Sequence, residues 1–116
     1  MTDKVCVVVG GGKGMGAAIA REMKKRNYRV SLMSPSDNCE NLAEELNGIA
    51  YRGRAENSRD TDNLIKFTME KFGRIDSLLI HVGGPPKGDL LEISEDDWKK
   101  ANEMVLMPVI RLSKLI

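Results

Sequence analysis

The first 26 residues constrain the fold more than any other stretch. Val5-Cys6-Val7-Val8-Val9 is apolar without interruption, and five of the chain's 11 glycines then fall within residues 10–16. An apolar run with no polar alternation suits a strand buried on both faces, as in a parallel sheet. Behind the glycines, Ala17-Ala18-Ile19-Ala20-Arg21-Glu22-Met23-Lys24-Lys25-Arg26 carries good helix formers and a small-residue face. Three cations close its last turn, where the helix dipole favours them. Residues 5–26 therefore read as strand, glycine turn, helix.

The same pattern recurs along the chain. Residues 29–33 form a second strand candidate, followed by turn and cap material at Ser34-Pro35-Ser36-Asp37-Asn38. Cys39, Leu42, Ala43 and Leu46 mark one face of a helix that ends at Asn47-Gly48. Residues 49–51 make a short third strand. Ser58 or Asp60 is positioned to cap a helix running to Phe72, with Gly73 beyond it. Residues 77–82 form a fourth strand closed by Gly83-Gly84-Pro85-Pro86, and residues 84–94 are the one long loop. Ser94 and Asp97 have the capping-box spacing and open a last helix. The order β-α-β-α-β-α-β-loop-α predicts a doubly wound parallel α/β sheet with helices on both faces, three αβα layers in one domain over residues 1–116. A half-sheet of four strands would leave an edge open for pairing. Residues 104–110 hold no charge, which predicts a helix buried on several sides by a covering partner outside these residues, kinked at Pro108.

Composition excludes several functions. Eighteen basic residues balance 17 acidic ones for a net charge of +1, so no single-sign field points to nucleic acid or an anionic membrane surface. No apolar run reaches transmembrane length, and Met-Thr-Asp-Lys-Val-Cys lacks the layout of a signal peptide. Cys6 and Cys39 are too few for a disulfide scaffold, and with one histidine no zinc-ligand spacing exists. The expectation is a cytoplasmic protein. A P-loop is excluded because Ala17-Ala18 follow the glycines in place of Lys-Ser/Thr.

Gly10, Gly14 and Gly16 are spaced G-x-x-x-G-x-G, and Gly12 to Ala17 also fits G-x-G-x-x-A. Glycines between a buried strand and a helix let backbone N–H groups approach a pyrophosphate, and the helix N-terminus adds partial positive charge. An acidic residue at the end of the second strand would hold the ribose 2′-OH of NAD. Here that place reads Ser34-Pro35-Ser36, Asp37 comes a few residues late, and Lys13 can pair with a 2′-phosphate. NADP is the expected cofactor, with NAD as the alternative.

Residues 9–20 resemble the cofactor loop of the short-chain dehydrogenase/reductase family. Residues 73–85, Gly-Arg-Ile-Asp-Ser-Leu-Leu-Ile-His-Val-Gly-Gly-Pro, are similar to that family's fourth-strand motif, and residues 90–98 resemble the lead-in to its fifth helix. The Gly-Gly-Pro-Pro variant leans towards 3-oxoacyl-carrier-protein reductase-like members. The resemblance implies a Rossmann-type fold and hydride exchange between a nicotinamide cofactor and a small carbonyl or hydroxyl substrate. It implies a cofactor cradle of Gly10, Gly12, Lys13, Gly14, Met15, Gly16, Ser34, Arg54, Ala55, Val82 and Gly83. It also implies a homo-oligomer packed through the fifth helix.

The sequence departs from the family at several places. The fourth strand usually ends Asn-Asn-Ala-Gly, and Ile80-His81-Val82-Gly83 keeps only the glycine. No Ser, Cys or Asp partner is spaced to make His81 catalytic, so contact through the backbone of Val82 and Gly83 is expected. Val105 falls where the fifth helix normally carries an asparagine of the catalytic group, with Asn102 one turn earlier as the alternative register. Near Arg54-Ala55 the family often has an aspartate for the adenine, and here arginine stands there. The family's catalytic serine and its tyrosine and lysine four apart lie beyond the fifth helix. Neither Tyr28 nor Tyr51 has a lysine four residues on. The sequence thus reads as the first half of a longer reductase or a degenerate remnant of one, inactive alone. The competing reading is a catalytically inactive dinucleotide-binding or assembly module.

Overall fold

The computed structural model describes residues 4–81, 88–89 and 91–116. Strands β1 (Val5–Val9), β2 (Arg29–Ser34), β3 (Ile49–Arg52) and β4 (Ser77–Ile80) alternate with helices α1 (Gly14–Lys25), α2 (Asn38–Leu46) and α3 (Ser58–Phe72). After β4 come α4 (Glu95–Ala101), a π-helical turn (Asn102–Leu106) and α5 (Met107–Leu115). All strand pairs are parallel, in the order β3-β2-β1-β4. This is the expected doubly wound Rossmann-type sheet.

Strand β1 is buried along its whole length, and its alternate residues feed two cores. Cys6 and Val8 join Val30 and Leu32 under α1 and α2, with Ala17, Ala20, Leu42 and Leu46 packed above them. Val7 and Val9 join Met33 on the other face, under Leu64 and Ile65 of α3 and Leu112 of α5. The second face also holds a buried polar pair, Ser31 and Thr68, with hydroxyl oxygens 2.7 Å apart. Thr68 donates its proton to the Leu64 carbonyl, so Ser31 is the donor between them.

Helix ends follow their local chemistry. Asn47 and Gly73 terminate α2 and α3 in the left-handed region, at φ 55° and 76°. Ser94 caps α4 by accepting from the Asp97 N–H at 3.1 Å, as its spacing predicts. The cap of α3 differs from expectation: Asn57, not Ser58 or Asp60, accepts from the N–H groups of Arg59 and Asp60 at 2.9 and 3.2 Å. The Asp60 carboxylate reaches back to the Arg54 N–H instead, at 2.9 Å. Strand β4 ends at Ile80, and residue 82, where the sequence placed its end, lies outside the described residues.

The expected kink at Pro108 takes the form of the π turn that precedes it. Proline has no N–H for the Met104 carbonyl, and its ring would clash there in a regular α-helix. The chain widens just before, and the Met107 N–H bonds back to the Asn102 carbonyl, five residues earlier. Within this chain, residues 104–110 are covered on one side. Pro108 and Leu112 are buried against the sheet side, while Val105, Leu106, Val109 and Ile110 are exposed, together with Trp98 one helix earlier.

Candidate functional site: a cleft at the switch point of the sheet

The strand order reverses between β1 and β4. In open α/β sheets that reversal opens a crevice beyond the carboxyl ends of the strands, because the two adjacent crossovers leave to opposite faces. Here the crevice is bounded by the turn after β1, the turn after β2, the loop after β3 and His81 after β4. It forms two adjoining hollows that share Gly10, Ser34, Pro35 and His81. The larger, about 390 Å³, extends past Gly12, Lys13 and Gly14 to Ser36 and Asn38. The smaller, about 140 Å³, extends past Met33 to Gly53, Ala55 and Glu56.

In this turn Gly10, Gly12 and Gly16 are closely packed and one glycine, Gly14, faces open space. Gly10 has φ 83°, and a Cβ there would run into the His81 carbonyl oxygen at the end of β4. Its N–H and that of Gly11 both donate to the Met33 carbonyl, at 2.8 and 3.2 Å, which ties the turn to β2. A Cβ on Gly16 would meet the Gly10 carbonyl, so bare glycine lets α1 lie close on the turn. Gly14, at φ 61°, faces open space with no atom within 4 Å of where a Cβ would stand. Gly12 sits over β2 and α2, its missing Cβ 2.8 Å from the Asn38 Cβ and 2.9 Å from the Ser34 Oγ.

Helix α1 begins at Gly14, inside the motif, so its first turn faces the larger hollow. Lys13 precedes it in extended conformation, without a side-chain cap, and no acidic residue stands in that first turn. The first N–H groups of a helix have no partner within it. Twelve residues of aligned peptide dipoles add partial positive charge at that end. An uncapped, glycine-lined helix start in a cleft is suited to a phosphate or pyrophosphate.

The second turn is self-bonded. The Ser34 hydroxyl donates to the Ser36 carbonyl at 3.1 Å and accepts from the Cys39 N–H at 3.2 Å. Ser34 is buried and its proton is spent, so it shapes the turn and anchors α2. Ser36 is exposed at the cleft rim, and its hydroxyl oxygen accepts from the Asn38 N–H at 3.3 Å. That bond leaves the hydroxyl's own proton available to donate.

Of the residues the sequence nominated, the structure brings Gly10, Gly12, Lys13, Gly14, Ser34 and Ala55 to the cleft, with His81 between its hollows. Gly16 lies behind them as a packing contact. Met15 is exposed beyond the cleft lining. Arg54 does not line the cleft: its side chain is solvent-facing and pairs with Glu56 at 3.5 Å. Val82 and Gly83 lie outside the described residues. Sequence reading missed Asn38, Gly53 and Glu56. Asn38 enters because α2 starts directly under Gly12, and Gly53 because its N–H donates to the Ser34 carbonyl at 2.9 Å, drawing the loop after β3 up to the second turn. Neither follows from local pattern, since both depend on strand register.

Among the described residues, no three metal-ligating side chains cluster. Both cysteines are free and buried, and burial pushes the Cys6 thiol pKa up, away from reactivity. Among the described residues of the cleft, no nucleophile is paired with a base.

The short chain dehydrogenase family profile matches residues 4–116. The chain belongs to that family. Oxidoreductase UcpA of Escherichia coli is 34% identical over 102 residues, which cover 84% of this chain and 39% of that protein. The 3-oxoacyl-[acyl-carrier-protein] reductase of Synechocystis is 28% identical over 123 residues, covering all of this chain and 50% of the reductase. Among solved structures, an alcohol dehydrogenase from the archaeon Thermococcus sibiricus, complexed with 5-hydroxy-NADP, superposes with a TM-score of 0.90 at 27% identity. That match covers 98% of this chain and 52% of the archaeal one. The chain thus spans about half the length of the short-chain dehydrogenases it matches. Among the described residues, no helix is long and apolar enough to cross a membrane.

Proposed function

We propose that this chain is the NADP(H)-binding Rossmann domain of a short-chain oxidoreductase that exchanges hydride with a small carbonyl or hydroxyl substrate. The observation that carries the reading is the uncapped start of α1, facing the switch-point cleft beside Gly12 and Gly14. The N–H groups of that first turn would hold the pyrophosphate. The smaller hollow, walled by Ala55 and Met33, would take the adenine by apolar contact. Lys13 and Ser36 would meet the 2′-phosphate at the rim, and no carboxylate at the end of β2 opposes it. The bound cofactor would supply the hydride chemistry. This chain's own part is to seat it with its nicotinamide end towards His81 and the backbone of Val82 and Gly83. NADP-bound relatives of the same fold support the preference.

The 116-residue chain is expected to bind NADPH saturably, more tightly than NADH, as read by quenching or enhancement of nicotinamide fluorescence. Absence of saturable binding to either dinucleotide overturns the proposal. The chain is not expected to oxidise NADPH with ketone substrates by itself, because it carries no tyrosine followed by lysine four residues on. Steady turnover by protein freed of host reductases would refute that. Val105, where an asparagine is usual, favours a second reading, a dinucleotide-binding or assembly module without turnover. The exposed apolar face of Val105, Leu106, Val109 and Ile110 supports self-association through the fifth helix, in a cytoplasmic oligomer. Light scattering that gives a monomer at high concentration would refute that association.

A further inference from the structure

Arg111 is the residue that joins the fifth helix to the wall of the cleft. It projects from α5, with its side chain only 24% exposed, and its guanidinium makes two bonds. One nitrogen donates to the Glu56 main-chain carbonyl at 3.2 Å. The other donates to the Glu103 carboxylate at 3.0 Å. Glu56 and Ala55 line the smaller hollow together with Val9 and Met33. The short loop that carries them is pinned elsewhere by the Gly53 N–H on the Ser34 carbonyl and the Arg54 N–H on Asp60. No other hydrogen bond to the Glu56 carbonyl is seen among the described residues.

The π turn is what lets Glu103 reach Arg111. Residues eight apart on a regular α-helix lie roughly 80° apart around its axis. One i→i+5 turn between them takes up an extra residue, a rotation of about 100°, and brings the two nearly onto one face. Glu103 then steadies a guanidinium whose other nitrogen holds the loop. The fork geometry of arginine serves two acceptors at once, which a lysine ammonium on one flexible stem does less rigidly.

We propose that Arg111 is a positioning residue for the dinucleotide: by holding the Glu56 carbonyl it fixes the Ala55–Glu56 wall, so affinity for the adenosine end depends on how α5 is seated. This rests on reading the cleft as a dinucleotide site. It gives the exposed apolar face of α5 a consequence, because anything that shifts that helix moves the donor on the wall.

The test is a set of titrations of the 116-residue chain with NADPH, adenosine 2′,5′-bisphosphate and reduced nicotinamide mononucleotide. Arg111→Met is expected to weaken NADPH and the bisphosphate by the same factor, on the order of tenfold for one lost charge-assisted bond. The mononucleotide affinity is expected to stay unchanged, and Arg111→Lys to recover most of the loss. Equal weakening of all three ligands, or unchanged bisphosphate affinity, would overturn the proposal. Should Arg111→Met fail to fold, Glu103→Gln serves instead, with a two- to threefold weaker bisphosphate expected for loss of an exposed ion pair (~0.5 kcal/mol). No change in that variant would also overturn it. Failure of the unsubstituted chain to bind NADPH would instead remove the dinucleotide reading of the cleft, and this proposal with it.

Discussion

The two glycines at the start of α1 make a paired prediction, because the structure gives them opposite reasons for being glycine. Gly14→Ala adds a methyl group that meets no protein atom within 4 Å, so its cost to the fold is the φ of 61° alone. A non-glycine residue held in the left-handed region loses about 1–2 kcal/mol. Gly14 lines the larger hollow, where the pyrophosphate is proposed to lie. Gly16→Ala has no unfavourable φ, but its methyl would run into the Gly10 carbonyl and stand 3.1 Å from the Gly11 Cα. Both are backbone atoms of a turn bonded to β2, so they cannot swing aside as a side-chain end would. Overpacking of this kind costs about 1–3 kcal/mol and displaces the helix. The assay is urea unfolding followed by circular dichroism, beside NADPH titration at a urea concentration where each protein is folded. Gly14→Ala is expected to lose binding by tenfold or more while its unfolding midpoint falls modestly. Gly16→Ala is expected to fall at least as far in stability, with weaker binding as a consequence of helix displacement. Native affinity in Gly14→Ala would refute the placement of ligand against α1.

Lys13→Met is expected to narrow the preference for NADPH over NADH several-fold and to flatten its salt dependence, measured by fluorescence titration from 50 to about 300 mM salt. Thr68→Val leaves the Ser31 hydroxyl buried without its acceptor and is expected to cost about 1–3 kcal/mol in urea unfolding. The double variant Ser31→Ala with Thr68→Val is expected to be less destabilised than the sum, and strict additivity would contradict the bond. Asn57→Ala removes the cap of α3 and is expected to cost about 0.5–2 kcal/mol by the same assay. The Asp76 carboxylate is held below its ordinary pKa, first by the Arg74 guanidinium and then by the Val5 N–H. A depressed native pKa gives stability that is present above the unfolded carboxylate range and lost as pH falls through the native value. Asp76→Asn is therefore expected to be less stable at neutral pH and to show a shallower loss below about pH 4.

Much of the scaffold was legible because local signals agreed with one another. Val5 to Val9 had no polar face, so the strand had to be covered on both sides, and the structure covers it with α1 and α2 on one face and α3 and α5 on the other. Gly73 and Ser94 announced a helix end and a helix start by chemistry that needs no tertiary context. The cap of α3 was misplaced by one to three residues because Asn57, Ser58 and Asp60 are all competent caps. What chose among them was the loop after β3, which takes the Asp60 carboxylate for the Arg54 N–H. The cleft was legible at its glycines and illegible at its far wall. Ser34, expected in the cofactor cradle, lines the cleft but has its proton committed to the Ser36 carbonyl, while Asn38 and Glu56 arrive through strand register.

The fifth helix shows where sequence reasoning stops for a physical reason. An apolar run demands cover, and residues 104–110 were expected to be covered on several sides. The sheet buries Pro108 and Leu112, and Arg111 ties the same face to the loop after β3, while Val105, Leu106, Val109 and Ile110 remain open to solvent. Hydrophobicity sets how much surface must leave water, but it has no direction and names no partner. The charged residue just after the run carries more positional information. Arg111 has a definite pair of acceptors, and its bond to the Glu56 carbonyl ties α5 to the loop after β3 in the rotation that turns Pro108 and Leu112 inward and leaves Val109 and Ile110 for another surface.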